Sequence, residues 1–310
     1  MVINIRKHRL VAAIIFLALL IIFVINITDC GENKKSQPDT GKSIVCGEFL
    51  SWNEVKSLFP LKSEANLIDL QTGLQFRVQR RGGTYHADVQ PLTADDTAVM
   101  KAIYNNKWTW RRRAIIVGLD DGKMIAASMN GMPHGLGSIA GNNFNGHFCV
   151  HFKDSKTHCS SKIDTAHQLM IWKSANLLQS KLASLNASQT VELLFIAIGQ
   201  GDIETVSHLI DFGKGNSLVL LRMEIVEKLR INRIVPLEND SFLVDVCVVY
   251  QGLTSEYNHH IQTHTVKTDS GWKINPECLT QLLDHTAAAV KTEPFDDAME
   301  EDWEETEVSS

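Results

Sequence analysis

The period of the hydrophobic positions changes along the chain, and each change predicts an element. Leu10 to Ile25 is an unbroken apolar run that reaches Ile27 across Asn26. It predicts a membrane-spanning segment over residues 10–27, behind a basic stub at 1–9 and ahead of a polar linker at 28–46. Leu50 to Phe59 puts Leu50, Val55, Leu58 and Phe59 on one helical side and stops at Pro60. Ala65–Asp69 and Leu74–Arg80 alternate with period two around the turn Gln71-Thr72-Gly73. Thr93 is a good N-cap for a helix running to Tyr104, with Asp95 and Asp96 suited to its positive end. Arg113–Gly118 and Met124–Met129 predict a hairpin around Asp120-Asp121-Gly122. Asp164 to Ser184 predicts one long amphipathic helix capped by Asp164.

A second pattern begins near Ser188. Val191–Ile198, a turn at Gly201 and a helix from Ile203 precede strands at about Leu229–Leu237, Phe242–Leu253, Asn258–Lys267 and Trp272–Ile274. The fold class expected is therefore α+β. After the anchor comes a β-rich domain at 47–184, then an α+β domain at 188–275, a C-terminal helix at 276–291 and a tail at 292–310. On the third of those strands, period two puts His260 and His264 on one face and His259 on the other, a pattern read as a solvated edge.

Charge changes the picture in two places. The formal charge of −6 comes from the end of the chain: nine of 36 acidic residues fall between Glu293 and Ser310, leaving 27 against 30 Lys and Arg. The tail is expected to be disordered and the body close to neutral. Arg80-Arg81 and Arg111-Arg112-Arg113 are isolated basic runs with no stripe joining them, which argues against nucleic acid as a partner. Arg6-Lys7-His8-Arg9 before the apolar run, with no basic residue directly after it, predicts a single-pass cell-membrane protein whose bulk is extracytoplasmic. Cys30 offers a lipoprotein alternative, against which Asp29 is a poor preceding residue. Six cysteines impose no disulfide framework by spacing.

The candidate chemistry sits between Met132 and His158. His147, Cys149 and His151 share one face of a short strand whose other face carries Phe148, Val150 and Phe152. A thiol beside imidazoles suggests nucleophilic catalysis, with Cys149 attacking a carbonyl and His134 as base. Ser128, Asn130 and the backbone at Gly131 and Gly135 are candidates to orient that base, and backbone N–H groups from His147 through Phe148 to Cys149 to face an oxyanion. His86, Asp88, Asn143, His151 and His158 complete the candidate substrate-binding set. No cofactor is required by this reading. The alternative is zinc on three ligands drawn from His86, Asp88, His147 and His151, and no HExxH signature accompanies it. A third possibility is binding without chemistry, through Trp108, Trp110 and the His/Asn-rich loop.

His134 (followed by Gly135), then eleven residues counted from Gly135, then Gly146-His147-Phe148-Cys149-Val150-His151 resembles the signature of the L,D-transpeptidase (YkuD-like) catalytic domain. Here Phe148 stands where that signature has glycine, His151 where it has Arg or Asn, and Gly146 where it has Ser or Thr. The stretch from about Leu50 to Ala175 also resembles an exported bacterial domain found with wall-binding modules. The transpeptidase resemblance implies acyl transfer on peptidoglycan stem peptides, and acylation of Cys149 by carbapenems; the exported-domain resemblance names no activity. The 188–275 pattern, closing on Gly271-Trp272-Lys273-Ile274, resembles the nuclear-transport-factor-2-like (SnoaL-like) domains, which implies a curved sheet in a cone.

Overall fold

The computed structural model describes residues 46–137, 139–157, 161–213, 217–284 and 289–291, all within one compact unit, Val45–Ser310. The expected anchor at 10–27, its basic stub, all of the linker but Cys46, the acidic tail and His158 lie outside the described residues. Among the described residues no helix is long and apolar enough to cross a membrane.

Strands β1 (Glu64–Asp69), β2 (Gln75–Gly82), β3 (Ala87–Pro91), β4 (Thr109–Gly118), β5 (Met124–Gly131) and β6 (Phe148–His151) close into a barrel ordered β1-β2-β3-β6-β5-β4. Every neighbouring pair is antiparallel, and β1 with β4 completes the ring. The alternation decides what fills it. Leu67, Val78, Val89, Val117, Ala127 and Phe148 point inward and are fully buried, so each strand hides one face without a partner sheet. At one end Asp69 accepts from Arg113 Nε (2.9 Å) and Nη2 (2.6 Å), and also from the Thr72 backbone and hydroxyl. That anchors the Gln71-Thr72-Gly73 turn.

Helix α1 (Trp52–Leu58) opens on a capping box between Ser51 and Glu54. Helix α2 (Ala94–Ile103) opens on the same device between Thr93 and Asp96. Helix α3 (Thr165–Ser174) lies on the outer wall of β4 and β5, with Asp164 accepting from the His167 N–H at 2.8 Å. Its Ser174 hydroxyl donates to the Ala127 carbonyl at 3.1 Å. The expected single helix over 164–184 is in fact two. Asn176 takes a left-handed φ of 56°, the Leu177 N–H closes back on the Trp172 carbonyl, and α4 (Leu178–Ser184) starts in a new direction. Asparagine tolerates that conformation and ends helices as glycine does.

Helices α5 (Ala187–Gln200) and α6 (Ile203–Leu209) turn at Gly201, φ 68°. They pack with strands β7 (Val226–Pro236), β8 (Ser241–Tyr250), β9 (Glu256–Thr268) and β10 (Gly271–Ile274), ordered β10-β9-β8-β7. A second core including Leu194, Phe195, Ile198, Val246 and Val248 lies between helices and sheet. Among the described residues of the stretch expected as a helix at 276–291, α7 (Glu277–Leu283) is helical. Ala289–Lys291 forms β11, which pairs with β9. The molecule is thus mixed α+β, with a closed barrel and an open sheet. β4 joins the two: Arg111 Nη2 donates to the carbonyls of Val226 (2.8 Å) and Glu227 (3.0 Å), and the Arg112 N–H donates to Gln200 Oε1 (2.7 Å).

Candidate functional site

The residues that carry the chemistry stand on the outside of the barrel wall formed by β3, β6 and β5. Cross-strand register explains why they meet. Asp88 pairs with Cys149, and Ala87 with Val150, so His86 comes level with His151. On the other side Ser128 pairs with His151, which brings Asn130 level with Cys149. Two rows result, His86–His151–Ser128 and Asp88–Cys149–Asn130, all on the face opposite the packed apolar side chains. His167 of helix α3 lies against the first row, and His134 and His147 against the second.

Cys149 Sγ stands 3.1 Å from His134 Nε2. The other ring nitrogen, His134 Nδ1, donates to the Met132 carbonyl at 2.8 Å. A carbonyl only accepts, so Nδ1 carries the proton and Nε2 presents its lone pair to the thiol. Burial pulls the His134 pKa down to about 4, against the opposing pull of the Met132 carbonyl, with His147 adding to the depression. The ring therefore rests neutral at physiological pH. Trp110 packs on it with ring centroids 5.2 Å apart.

His134 and His147 exchange backbone hydrogen bonds of 2.8 and 2.7 Å, and their rings meet edge to face at 4.5 Å. Two glycines make this possible. At Gly135 (φ 61°) a Cβ would overlap the His147 ring, and at Gly146 (φ 90°) it would overlap the His134 carbonyl. The bridge also uses the His147 N–H, which removes it from the expected oxyanion donors. Phe148 puts its side chain inside the barrel, beside Phe76 and Phe144. In place of the glycine of the resembled signature it is a core residue.

Ser128 does not orient His134; its hydroxyl is 2.8 Å from His167 Nδ1. Asn130 is fully buried in the Cys149 row. His86 stacks on His151 with centroids 4.3 Å apart, and His151 on His167 at 3.8 Å, 2° from parallel. Burial pushes both His151 and His167 well below the usual imidazole range, and neighbouring charges (His167 and His86 on the first, Arg112 and His86 on the second) push the same way. Asp88 lies 3.1 Å from His86 Nε2 and 3.9 Å from His147 Nε2. Asn143 is exposed in a loop with φ 56°, and a hollow of about 340 Å³ there is lined, among the described residues, by 139–145. Trp108 sits edge-on against Phe144 at 5.5 Å. In the second sheet His259 is buried against the Tyr250 hydroxyl (2.6 Å), and His260, on the exposed face, meets Asp245 (2.6 Å).

Three participants escaped the sequence reading. His167 reads there as one more position of an amphipathic helix. Arg112, which donates to Asp164 at 2.8 Å, reads as part of a basic run. The Met132 carbonyl is a backbone group with no signal of its own. Comparison with known protein families and with curated protein sequences returns no match. The chemistry therefore rests on the geometry.

Proposed function

We propose that this is a membrane-anchored, extracytoplasmic thiol acyltransferase that acts on peptide stems of the cell wall, with Cys149 as nucleophile and His134 as base. The observation that carries it is the 3.1 Å approach of His134 Nε2 to Cys149 Sγ, with Nδ1 tied to the Met132 carbonyl. That tie fixes the tautomer a general base needs. The peptide-stem substrate is suggested by the His134…His147-Phe148-Cys149 resemblance, and the anchor by the apolar run at 10–27. The β7–β10 sheet with its helices supports reading 188–275 as a nuclear-transport-factor-2-like half that braces the barrel.

As Cys149 attacks a stem carbonyl, its proton passes to His134 Nε2 and an S–C bond forms. The C–N bond to the leaving residue then breaks, and His134 returns the proton to the departing amine. An acceptor amine, or water, opens the thioester and regenerates the thiol. A neutral His134 is the form able to take that first proton. Trp108 is packed against the core ring of Phe144 and Trp110 against His134, which favours catalysis over a sugar-stacking role for these rings.

The test is intact mass of the purified full chain after incubation with a carbapenem. A single acyl adduct is expected, absent from Cys149→Ala. A full-length chain that stays unmodified while Cys149 remains a titratable thiol would overturn the proposal.

A further inference from the structure

We propose that His86, Cys149 and His151 form a zinc site, and that zinc held there withdraws the Cys149 sulfur from acyl transfer. The site itself stands on the cluster; its gating of the thiol rests on the function proposed above.

One ring nitrogen from each histidine and Cys149 Sγ all lie within 4.8 Å of one another, and the three residues are buried. Zinc–nitrogen bonds of about 2.0 Å and a zinc–sulfur bond of about 2.3 Å set ligand atoms roughly 3.3–3.8 Å apart. Small side-chain rotations close that gap. Two imidazoles and a thiolate are a borderline-soft donor set, which suits zinc and excludes magnesium and calcium.

The surroundings prepare each ligand. His86 Nδ1 is 2.8 Å from the Lys156 carbonyl. It must be the protonated nitrogen, so the Nε2 lone pair is the ligating one, and a carbonyl in this outer position is a common way of aiming a metal-binding ring. His151 Nδ1 is buried with no hydrogen-bond partner among the described residues. His167, stacked flat on His151 and fixed by Ser128, holds the plane of the ring. Asp88, 3.1 Å from His86 Nε2, puts a carboxylate beside the cluster.

Binding replaces the S–H bond with S–Zn and releases one proton to solvent. The sulfur electron pair that would attack a carbonyl is then engaged by the metal. His134 has no thiol proton left to take. The same sulfur thus serves two alternatives, a base at His134 or a metal at His86 and His151.

The experiment uses the purified full chain, stripped with a chelator and titrated with Co²⁺ and Zn²⁺. One cobalt per chain is expected, with a near-ultraviolet thiolate-to-cobalt charge-transfer band. Cys149→Ser should abolish the band, and His86→Ala and His151→Ala should weaken binding at least about tenfold. The smaller change His86→Gln serves if the alanine variant does not fold. His134→Ala should keep the band. Zinc should protect Cys149 from iodoacetamide and block the carbapenem adduct, and chelator should restore both. Substoichiometric cobalt, or a band that survives Cys149→Ser, would overturn the site. Undiminished or faster adduct formation with zinc bound would overturn the gating. A band with no adduct, with or without zinc, would remove the nucleophile reading and the gating with it, and leave the metal site standing.

Discussion

The ring of His151 lies flat on that of His167, 3.8 Å away and 2° from parallel, with neither exposed to solvent. Two imidazoles in that arrangement cannot both carry charge without strong repulsion in a medium that screens poorly. Arg112, paired with Asp164 at the adjoining helix start, adds further positive potential, and His86 faces the other side of His151.

The consequence is acid sensitivity. His134, His151 and His167 all have folded-state pKa values depressed below 6.5. Below that pH the unfolded chain binds protons that the folded chain refuses, so stability falls as pH falls, by about 1.4 kcal/mol per pH unit for each histidine. Asp164 acts in the same direction at lower pH: burial opposes its charge, but Arg112 and the His167 N–H hold its pKa below the ordinary value. Thermal melts of the chelator-treated chain should show Tm flat above pH 7 and falling steadily from pH 6.5 to 5. His167→Gln should flatten that slope, and an unchanged slope would contradict the assignment.

His134→Ala should slow carbapenem acylation of Cys149 by about 10²–10⁴-fold, the usual worth of a positioned general base. Stopped-flow or quenched intact-mass time courses would read it. The residual rate should rise with pH as hydroxide replaces the base, whereas the parent chain should show no such rise over pH 6–8.

Phe148→Ala tests one of the three points at which the chain departs from the resembled signature. The ring fills the barrel, so truncation should cost about 3–5 kcal/mol in urea unfolding. Gly135→Ala tests the other side of the motif. Its Cβ would strike the His147 ring at a left-handed φ, so it should lower the acylation rate more than an exposed control such as Gly122→Ala, where nothing stands near the new Cβ.

Asp69→Ala should also cost about 3–5 kcal/mol, because it leaves the Arg113 guanidinium without its carboxylate at the barrel end. Restoring polarity with Asp69→Asn should recover part of the loss, since the Thr72 hydroxyl and backbone can still donate to an amide oxygen.

Local chemistry explains which parts of this molecule could be read from the sequence. The caps at Thr93 and Asp164 declare themselves because a side-chain oxygen ahead of an apolar period has one obvious use. The alternation of Phe148 and Val150 with Cys149 and His151 likewise separates packed face from reactive face before any partner strand is known. Asn176 hides inside a helical period because its left-handed turn breaks no hydrophobic pattern. Closure of β1 on β4 joins segments about fifty residues apart and depends on shape rather than on residue type. The link between His167 and Ser128 is invisible for the same reason, and so is the proton placed on His134 by a main-chain oxygen.

The hydrogen bonds from Arg111 and Arg112 to Val226, Glu227 and Gln200 cross 115, 116 and 88 residues of sequence. In vectorial synthesis, β4 would therefore leave the ribosome long before these partners exist. Trp110, the neighbour of both arginines, is the wall against which the His134 ring rests. The thiol–imidazole pair would gain its final rigidity only once β7 has been made, so a nascent or truncated chain should carry the reactive cysteine without its settled base.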